Sequence, residues 1–231
     1  MGVMPTIQAK LRILSRSQER FRDRKEAGRL LTESLCPYKD PHMVVVGIPR
    51  GGLVVAREVA YGLDVTFDIA LSTKLGAPSN PEFAIGAVNE VGEMFMDQAL
   101  IRHLGLDERY LIQEAKQRFA EIRRRSSIYR NVCPKMNLKG RDVLLIDDGI
   151  ATGSTVQAAL WSIRREEPRK LVGVFPVGPE QVLQQLSETA DEIICLRVPE
   201  MLGSVGRFYN HFEQISDIDI LEILKECEGN E

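Results

Sequence analysis

The sequence is poor in the residues that build metal sites and disulfide frameworks. Its 231 residues include only four cysteines and three histidines, and no two cysteines form a C-x-x-C pair. A zinc site is therefore not expected, and scattered thiols are typical of a reducing compartment. The sequence contains no run of about 18 apolar residues and begins without the apolar core of a signal peptide. We expect a cytoplasmic protein with no membrane partner.

A dominant charge of one sign is also missing. The 30 Lys and Arg residues oppose 33 Asp and Glu residues, which leaves a formal net charge of −3. Because nucleic-acid-binding domains usually carry a basic excess, a nucleic acid partner is not expected. The chain also lacks the G-x-x-x-x-G-K-[ST] and G-x-G-x-x-G motifs, which argues against an NTPase and a dinucleotide oxidoreductase.

Short β-branched apolar runs alternate with helical periodicity along most of the chain. This alternation predicts an α/β fold with an open parallel sheet flanked by helices. We expect a single domain over residues 21–231, preceded by an N-terminal arm or short helix over 1–20, and a last helix over 218–227. The predicted strands cover 43–48, 67–71, 143–146, 171–177 and 192–198.

An insertion at about 76–130 interrupts this alternation. It contains a predicted antiparallel hairpin, 84–88 with 94–96, and a long amphipathic helix over 107–130. The Gly- and Pro-containing stretch 72–81 before the hairpin indicates an exposed loop. We expect the hairpin and the long helix to form a lid or a subunit contact.

Two adjacent acids, Asp147 and Asp148, directly follow the predicted strand at 143–146, and a hydroxyl-rich bend then leads into a helix. Ligands of open α/β sheets bind beyond the carboxyl ends of the strands. Hydroxyls, backbone N–H groups and the positive end of a helix dipole suit a phosphate monoester. Two carboxylates beside a phosphate site could accept hydrogen bonds from vicinal hydroxyls of the ligand, hold the waters of a Mg²⁺ ion, or stabilise a cationic transition state. The bend consists of Ala151, Thr152, Gly153, Ser154 and Thr155.

The segment 144–155 resembles the phosphoribosyl-pyrophosphate (PRPP) signature of the type I phosphoribosyltransferases. The resemblance implies the open parallel sheet of that family. It also implies that Asp147 and Asp148 contact the ribose hydroxyls and hold Mg²⁺ through water, and that the bend at 151–155 binds the 5-phosphate. Gly149 departs from the bulkier apolar residue that usually follows the acidic pair.

A second loop is similar to the pyrophosphate loop of that family. Arg50, Gly51 and Gly52 follow the predicted strand at 43–48; glycines let backbone N–H groups approach phosphate oxygens, and an arginine supplies a fork of donors. In the family this loop often contains a non-proline cis peptide. The resemblance places Arg50 with the acidic pair among the catalytic residues. Lys74 stands where relatives place a cation near pyrophosphate, although a solvated lysine is the plain alternative.

Further segments, 21–28, 74–82 and 205–212, resemble a bacterial group of phosphoribosyltransferase-like proteins without an assigned acceptor. The implied function is transfer of ribose 5-phosphate from PRPP to a nitrogen of a base or amine, with Mg²⁺ as cofactor and a homodimer as the assembly. Enzymes acting on 6-oxopurines usually carry an acid where this chain has Ala151, so hypoxanthine and guanine are disfavoured. A regulator that senses PRPP or a nucleotide without turnover is the alternative, because the same residues serve both.

Two other groups of residues leave alternatives open. Arg123, Arg124 and Arg125 belong to the polar face of the predicted long helix, which is usually solvated, but they would reach an anion if the insertion closes as a lid. The aromatic segment 208–212 more often completes a core than stacks on an acceptor ring. His211 within it would serve as a base only in a suitable environment.

Overall fold

The computed structural model describes residues 10–40 and 42–226, in which six parallel strands form one open sheet. Numbered along the chain, these strands are β1 (Lys10–Ser15), β2 (Met43–Gly47), β3 (Thr66–Ile69), β7 (Asp142–Ile146), β8 (Lys170–Val177) and β9 (Glu192–Arg197). The strand order is β1-β9-β8-β7-β2-β3, and every neighbouring pair is parallel. The predicted α/β class and open parallel sheet are confirmed.

The N-terminal segment supplies an edge strand where an arm or short helix was expected. β1 pairs with β9, so that Leu11 lies opposite Ile193 and Ile13 opposite Cys195. Leu11 and Ile13 pack against a core cluster on one face of the sheet. Leu14 packs against the cluster on the other face. Six residues with three apolar side chains give only a faint local signal, and the pairing itself stabilises the strand. Residues 1–9 of the expected arm lie outside the described residues.

Helices cover both faces of the sheet. On one face lie α1 (Arg24–Leu35), α2 (Gly51–Leu63) and α7 (Asp217–Leu224), and on the other lie α5 (Ser154–Arg164) and α6 (Glu180–Leu186). Val45 and Leu144 belong to the first core cluster, whereas their neighbours Val44 and Leu145 belong to the second. Because successive side chains of a strand point to opposite faces, central strands covered on both sides are apolar throughout. The expected last helix ends earlier than predicted, and Cys227 lies outside the described residues.

The insertion is a second, antiparallel sheet with two helices. It comprises β4 (Ser72–Ala77), β5 (Asn80–Asn89), β6 (Met94–Met96), α3 (Gln98–Leu104) and α4 (Glu108–Tyr129). The predicted hairpin is present as β5 and β6, and the long helix as α4. The predicted exposed loop at 72–81 is wrong over 72–77 and 80–81, which belong to β4 and β5, and only residues 78–79 form a turn. β4 pairs with β5 and buries Leu75 and Ala77. The pairing register of β4 with β5 shifts on both sides of Gly76, so the strand is irregular at this glycine.

Two sets of contacts fix the insertion on the main sheet. Phe95 of β6 stacks on Trp161 of α5 with ring centroids 4.3 Å apart. Arg130, just after α4, donates to the carboxylates of Asp68 in β3 and Glu90 beside β5. Both carboxylates are almost fully removed from solvent, so this three-way ion pair joins the end of α4 to the sheet. Within the described ranges, no helix is long and apolar enough to span a membrane.

Candidate functional site

The two loops predicted to form one site meet at the carboxyl edge of the sheet. β2 and β7 are hydrogen-bonded neighbours, with Gly47 opposite Ile146. The loop after β2 carries Arg50, and the loop after β7 carries the acidic pair. Because both strands are parallel, their carboxyl ends and the loops that follow them lie side by side.

The start of α2 lies directly against the acidic pair. A Cβ atom placed on Gly51 would stand 1.9 Å from Oδ2 of Asp148, and one on Gly52 would stand 2.7 Å from both Cα and Oδ1 of Asp147. Any side chain at these two positions would therefore displace a carboxylate or separate α2 from β7. Because Gly51 and Gly52 have no side chains, the backbone of this loop can lie in contact with the two acids.

Arg50 lies at the exposed outer side of this site. It is the N-cap residue of α2, and the peptide bond between Pro49 and Arg50 is cis. The charges of Arg125 and Arg50 both act on the buried hydroxyl of Tyr129 at the end of α4. Burial and a hydrogen bond to Asp217 outweigh them and raise the pKa of Tyr129 to about 12. The consecutive arginines of α4, Arg123, Arg124 and Arg125, are all exposed.

The acidic pair is held in a strongly unfavourable electrostatic position. Oδ1 of Asp147 accepts the backbone N–H of Asp148 at 2.8 Å. Burial, followed by repulsion from Asp148, raises the pKa of Asp147 well above its ordinary value. Burial also raises the pKa of Asp148, against the charge and hydrogen bond of Arg24. Adjacent, desolvated carboxylates with raised pKa values are typical of ligand-binding and catalytic sites.

Arg24 is the side chain at this site that the sequence did not assign. It is the first residue of α1, and its guanidinium Nε donates to Oδ2 of Asp148 at 2.7 Å. A charged residue in the first turn of a helix usually faces solvent, whereas Arg24 is buried. Its segment was noted only for a family resemblance, and nothing in the local pattern indicates a partner 124 residues away.

The aromatic segment near the C-terminal end closes over Asp148. The hydroxyl of Tyr209 donates to the backbone carbonyl of Asp148, and Phe212 stacks on Tyr209 with centroids 5.1 Å apart. Phe208 and Tyr209 are buried, while Phe212 is 40% exposed and His211 is exposed. The expected packing role describes the first two residues. Burial, then the nearby Asp148 charge, raises the pKa of Tyr209 well above its usual value.

The departure at Gly149 has a packing explanation. A Cβ atom there would stand 2.6 Å from Cγ1 of Val205 and 3.0 Å from Cγ1 of Val177. Val205 belongs to the short helical turn Val205–Phe208 that precedes the aromatic segment. The space that a bulkier residue would need is thus filled by the C-terminal segment and β8, and Gly149 has a φ of +157°, which a residue with a side chain would rarely adopt.

The hydroxyl-rich bend leads into α5 as predicted. Gly153 is the N-cap residue, and the Oγ atoms of Thr152 and Ser154 lie 3.3 Å apart. Lys74 of β4 donates from Nζ to Ser154 Oγ at 3.1 Å, which brings a cation from the insertion to the bend. Ala151, Thr152 and Thr155 are exposed. Because Gly153 offers no side-chain oxygen to the first turn, the N–H groups of that turn can serve an anion.

An open cleft of about 300 Å³ adjoins this bend. Its walls come from β5 of the insertion, the bend, α5 and α6, and none of the described residues that line them has a charged side chain. Phe83, which is 46% exposed, supplies an aromatic ring. The lining residues are Asn80, Phe83, Ala84, Thr152, Gly153, Ser154, Gln157, Val182, Gln185 and Leu186.

The acidic pair offers a cation one or two carboxylates rather than a complete cage. In the part of the chain that the structure describes, no cluster of three or more His, Cys, Asp or Glu side chains could hold a metal ion. Mg²⁺ at phosphate-handling sites is usually bound by one or two carboxylates together with substrate phosphates and waters. Asp147 and Asp148 fit Mg²⁺ in that manner, with the ligand supplying the remaining oxygens.

Comparison with known proteins identifies the class of this chain. The family model of the phosphoribosyl transferase domain matches residues 19–178, so the chain belongs to that family. A Mycobacterium tuberculosis protein named as a putative phosphoribosyl transferase is 36% identical over 204 residues, which are 88% of this chain and 46% of that protein. The chain thus spans about half the length of the curated relatives it matches.

Two further comparisons support the fold and the family. The crystal structure of TT1426 from Thermus thermophilus has a TM-score of 0.85 and 44% identity, covering 90% of this chain and 99% of that one. A uracil phosphoribosyltransferase of Aquifex aeolicus is 29% identical over 114 residues, which are 46% of this chain and 54% of that protein. The predicted family membership is confirmed.

Proposed function

We propose that this chain binds PRPP and transfers its ribose 5-phosphate to a nitrogen acceptor, releasing pyrophosphate. The contact between the Arg50 loop and the acidic pair carries the proposal. A pentose held by carboxylates would there have its leaving group beside backbone N–H donors and a guanidinium, and its terminal phosphate at the start of α5. Residues 50–52, 147–148 and 151–155 would meet these three requirements of PRPP.

Each group would have a distinct part in the reaction. Asp147 and Asp148 would bind the ribose hydroxyls and favour the positive charge that develops as the bond between C1 and the pyrophosphate oxygen breaks. Arg50, with the N–H groups of residues 51 and 52, would bind the departing pyrophosphate. Lys74, expected near pyrophosphate, contacts Ser154 and would add its charge at the 5-phosphate instead. The acceptor nitrogen forms the new bond to C1 and releases its proton to solvent.

Mg²⁺, held by the acidic pair through water, would neutralise phosphate charge and make pyrophosphate a better leaving group. The bend at 151–155 would fix the 5-phosphate, so that the sugar is oriented before the acceptor arrives and the reaction becomes effectively intramolecular. Lys74 reaches this bend from β4, so the insertion would contribute directly to binding.

The acceptor is proposed to be a pyrimidine, adenine or an amine. The exposed Ala151 offers no acid for a 6-oxopurine, and the similarity to a uracil phosphoribosyltransferase makes uracil the first pyrimidine to try. We further propose that residues 21–231 act as one domain, and that the protein works in the cytoplasm as a homodimer.

Two measurements test the proposal. Isothermal titration calorimetry with PRPP and Mg²⁺ should show saturable binding, and pyrophosphate release should appear with one member of a panel containing uracil, adenine and simple amines. Saturable binding without release across the panel would favour the sensing regulator instead. Absence of PRPP binding would refute both the transferase and a regulator that senses PRPP.

The acidic pair provides the matched variants. The double variant Asp147→Asn with Asp148→Asn should weaken PRPP binding roughly 100-fold or more. Asp142→Asn is the control, because Asp142 lies at the opposite end of β7, where it pairs with Arg169 at 2.7 Å. Wild-type affinity in the double variant would remove the acids from the site.

A further inference from the structure

Arg24 contacts three parts of the site at once. Its Nε donates to Asp148 Oδ2 at 2.7 Å, and its Nη1 donates to the carbonyl oxygen of Glu213 at 2.8 Å. Its Cζ lies 3.8 Å from the centroid of the Phe212 ring. The guanidinium therefore lies between the acid that follows β7 and the segment that closes over it.

The same guanidinium also borders the Arg50 loop. A Cβ atom on Gly51 would stand 2.9 Å from Nε of Arg24 as well as 1.9 Å from the Asp148 carboxylate. The Arg24–Asp148 pair thus rests on the backbone of the loop proposed to bind pyrophosphate. Only 10% of the Arg24 side chain and 15% of the Asp148 side chain are exposed. Movement of either group would disturb the other and the loop beneath them.

Residues 209–213, the closing segment, also contact the backbone of Asp148. The Tyr209 hydroxyl donates a hydrogen bond to the Asp148 carbonyl oxygen. The Tyr209 ring stacks on the Phe212 ring, and the Phe212 ring stacks on the Arg24 guanidinium. The side chain and the main chain of one acid are thereby tied to residues 209–213. Asp147 has neither contact: its Oδ1 is engaged by the N–H of Asp148.

Resting on the proposed function, we propose that Arg24 is a positioning residue: it fixes the Asp148 carboxylate for the ribose hydroxyls and couples it to the closing segment 209–213. The bond to Oδ2 sets the orientation of the other carboxylate oxygen, which is directed to the sugar. The planar fork explains the residue type, since Nε, Nη1 and the π face are used in three directions. A lysine would keep the charge and lose this geometry.

The test is a pair of variants measured by PRPP calorimetry and by pyrophosphate release. Arg24→Lys should lower kcat/KM for PRPP and PRPP affinity by roughly 10- to 100-fold. Phe212→Leu, which removes only the stacking surface, should give a smaller loss, and it decides the matter if Arg24→Lys does not fold. Arg29→Lys is the control, because Arg29 lies on the same helix with an exposed side chain paired to Glu58.

A double-mutant cycle separates positioning from a structural role. If Arg24 acts through Asp148, Arg24→Lys should change PRPP affinity by less than about threefold when Asp148→Asn is already present. Equal losses in both backgrounds, or PRPP affinity of Arg24→Lys within twofold of wild type, would overturn the inference, while pyrophosphate release by the wild-type chain upholds the proposed function. Failure of the wild-type chain to bind PRPP would overturn both.

Discussion

Asp147→Asn is expected to raise the melting temperature of the ligand-free protein while abolishing its proposed activity. The carboxyl of Asp147 lies against Gly52 and next to Asp148, and burial and that neighbouring charge raise its pKa well above the ordinary value. Asparagine has nearly the same shape and keeps an oxygen for the N–H of Asp148. The variant therefore removes the cost of the charge and leaves the packing.

Proton linkage sets the direction of this change. A carboxyl with a raised pKa in the folded state binds its proton more tightly when folded, so it favours folding at low pH and this stability is lost as the pH rises through the folded-state value. In the unfolded chain an aspartate titrates near about 3.9. Removing the buried charge of Asp147 should increase the free energy of unfolding by about 1–2 kcal/mol, as stabilising substitutions commonly do. For a chain of this size that corresponds to an increase of roughly 2–8 °C.

The assay is thermal unfolding followed by circular dichroism, in chelator-containing buffer, at pH 7 and at steps down to pH 4. The gain from Asp147→Asn should shrink as the pH approaches the unfolded-state pKa, because wild type is then protonated too. Asp148→Asn should gain less, since Arg24 loses its charged partner. The control Asp142→Asn should lose up to about 1 kcal/mol. A lower melting temperature for Asp147→Asn at pH 7, or a gain unaffected by pH, would show that the Asp147 charge does not destabilise the folded protein.

Three further substitutions test the packing of the loop, the insertion and the assembly. Gly51→Ala would place its Cβ against Asp148, and calorimetry should show PRPP affinity reduced roughly 100-fold. Arg130→Gln would leave two buried carboxylates without their cation, and urea unfolding should show a loss of about 3–5 kcal/mol. Ile112→Lys alters an apolar groove between the hairpin and α4, where its side chain is 48% exposed. If the insertion forms the dimer contact, light scattering should show the variant as a monomer.

Each of these variants has an outcome that contradicts it. Unchanged PRPP affinity in Gly51→Ala would mean that the loop and the acid do not act together. Arg124→Gln, on the exposed face of α4, should alter stability by less than about 0.5 kcal/mol, and an equally small effect of Arg130→Gln would deny the buried network its role. A monomeric wild-type protein would dismiss the dimer expectation.

The sheet and the meeting of its two loops were predictable because the signals are local. Strands buried on both faces appear as continuous apolar runs, and each run ended within two residues of the strand that the structure shows. Once the strands are parallel, loops after neighbouring strands must share one edge. The Arg50 loop and the acidic pair were therefore expected at one edge of the sheet, whereas the pairing of β2 with β7 and the direct contact of residues 51 and 52 with the acids were not predicted.

Elements stabilised by partners rather than by their own pattern were not predicted. β1 is an edge strand of six residues that pairs with β9 from the other end of the chain. β4 contains Gly76 and continues into a Pro-containing turn, which indicated a loop, yet its pairing with β5 and the burial of Leu75 outweigh that local preference. In both segments tertiary contacts decide the conformation.

The chemistry of the site was easier to infer than its geometry, because the geometry depends on contacts between distant parts of the chain. The segment 144–155 states which groups are present, but the orientation of Asp148 depends on Arg24, 124 residues earlier, and on Tyr209, 61 residues later. Those contacts have no periodicity, because each joins single side chains from separate elements. The family match ends at residue 178, so it includes Arg24 and the acid but not the closing segment. Asp148 is contacted by Arg24 inside the matched range and by Tyr209 beyond it. Its orientation therefore depends on segments from both ends of the described chain.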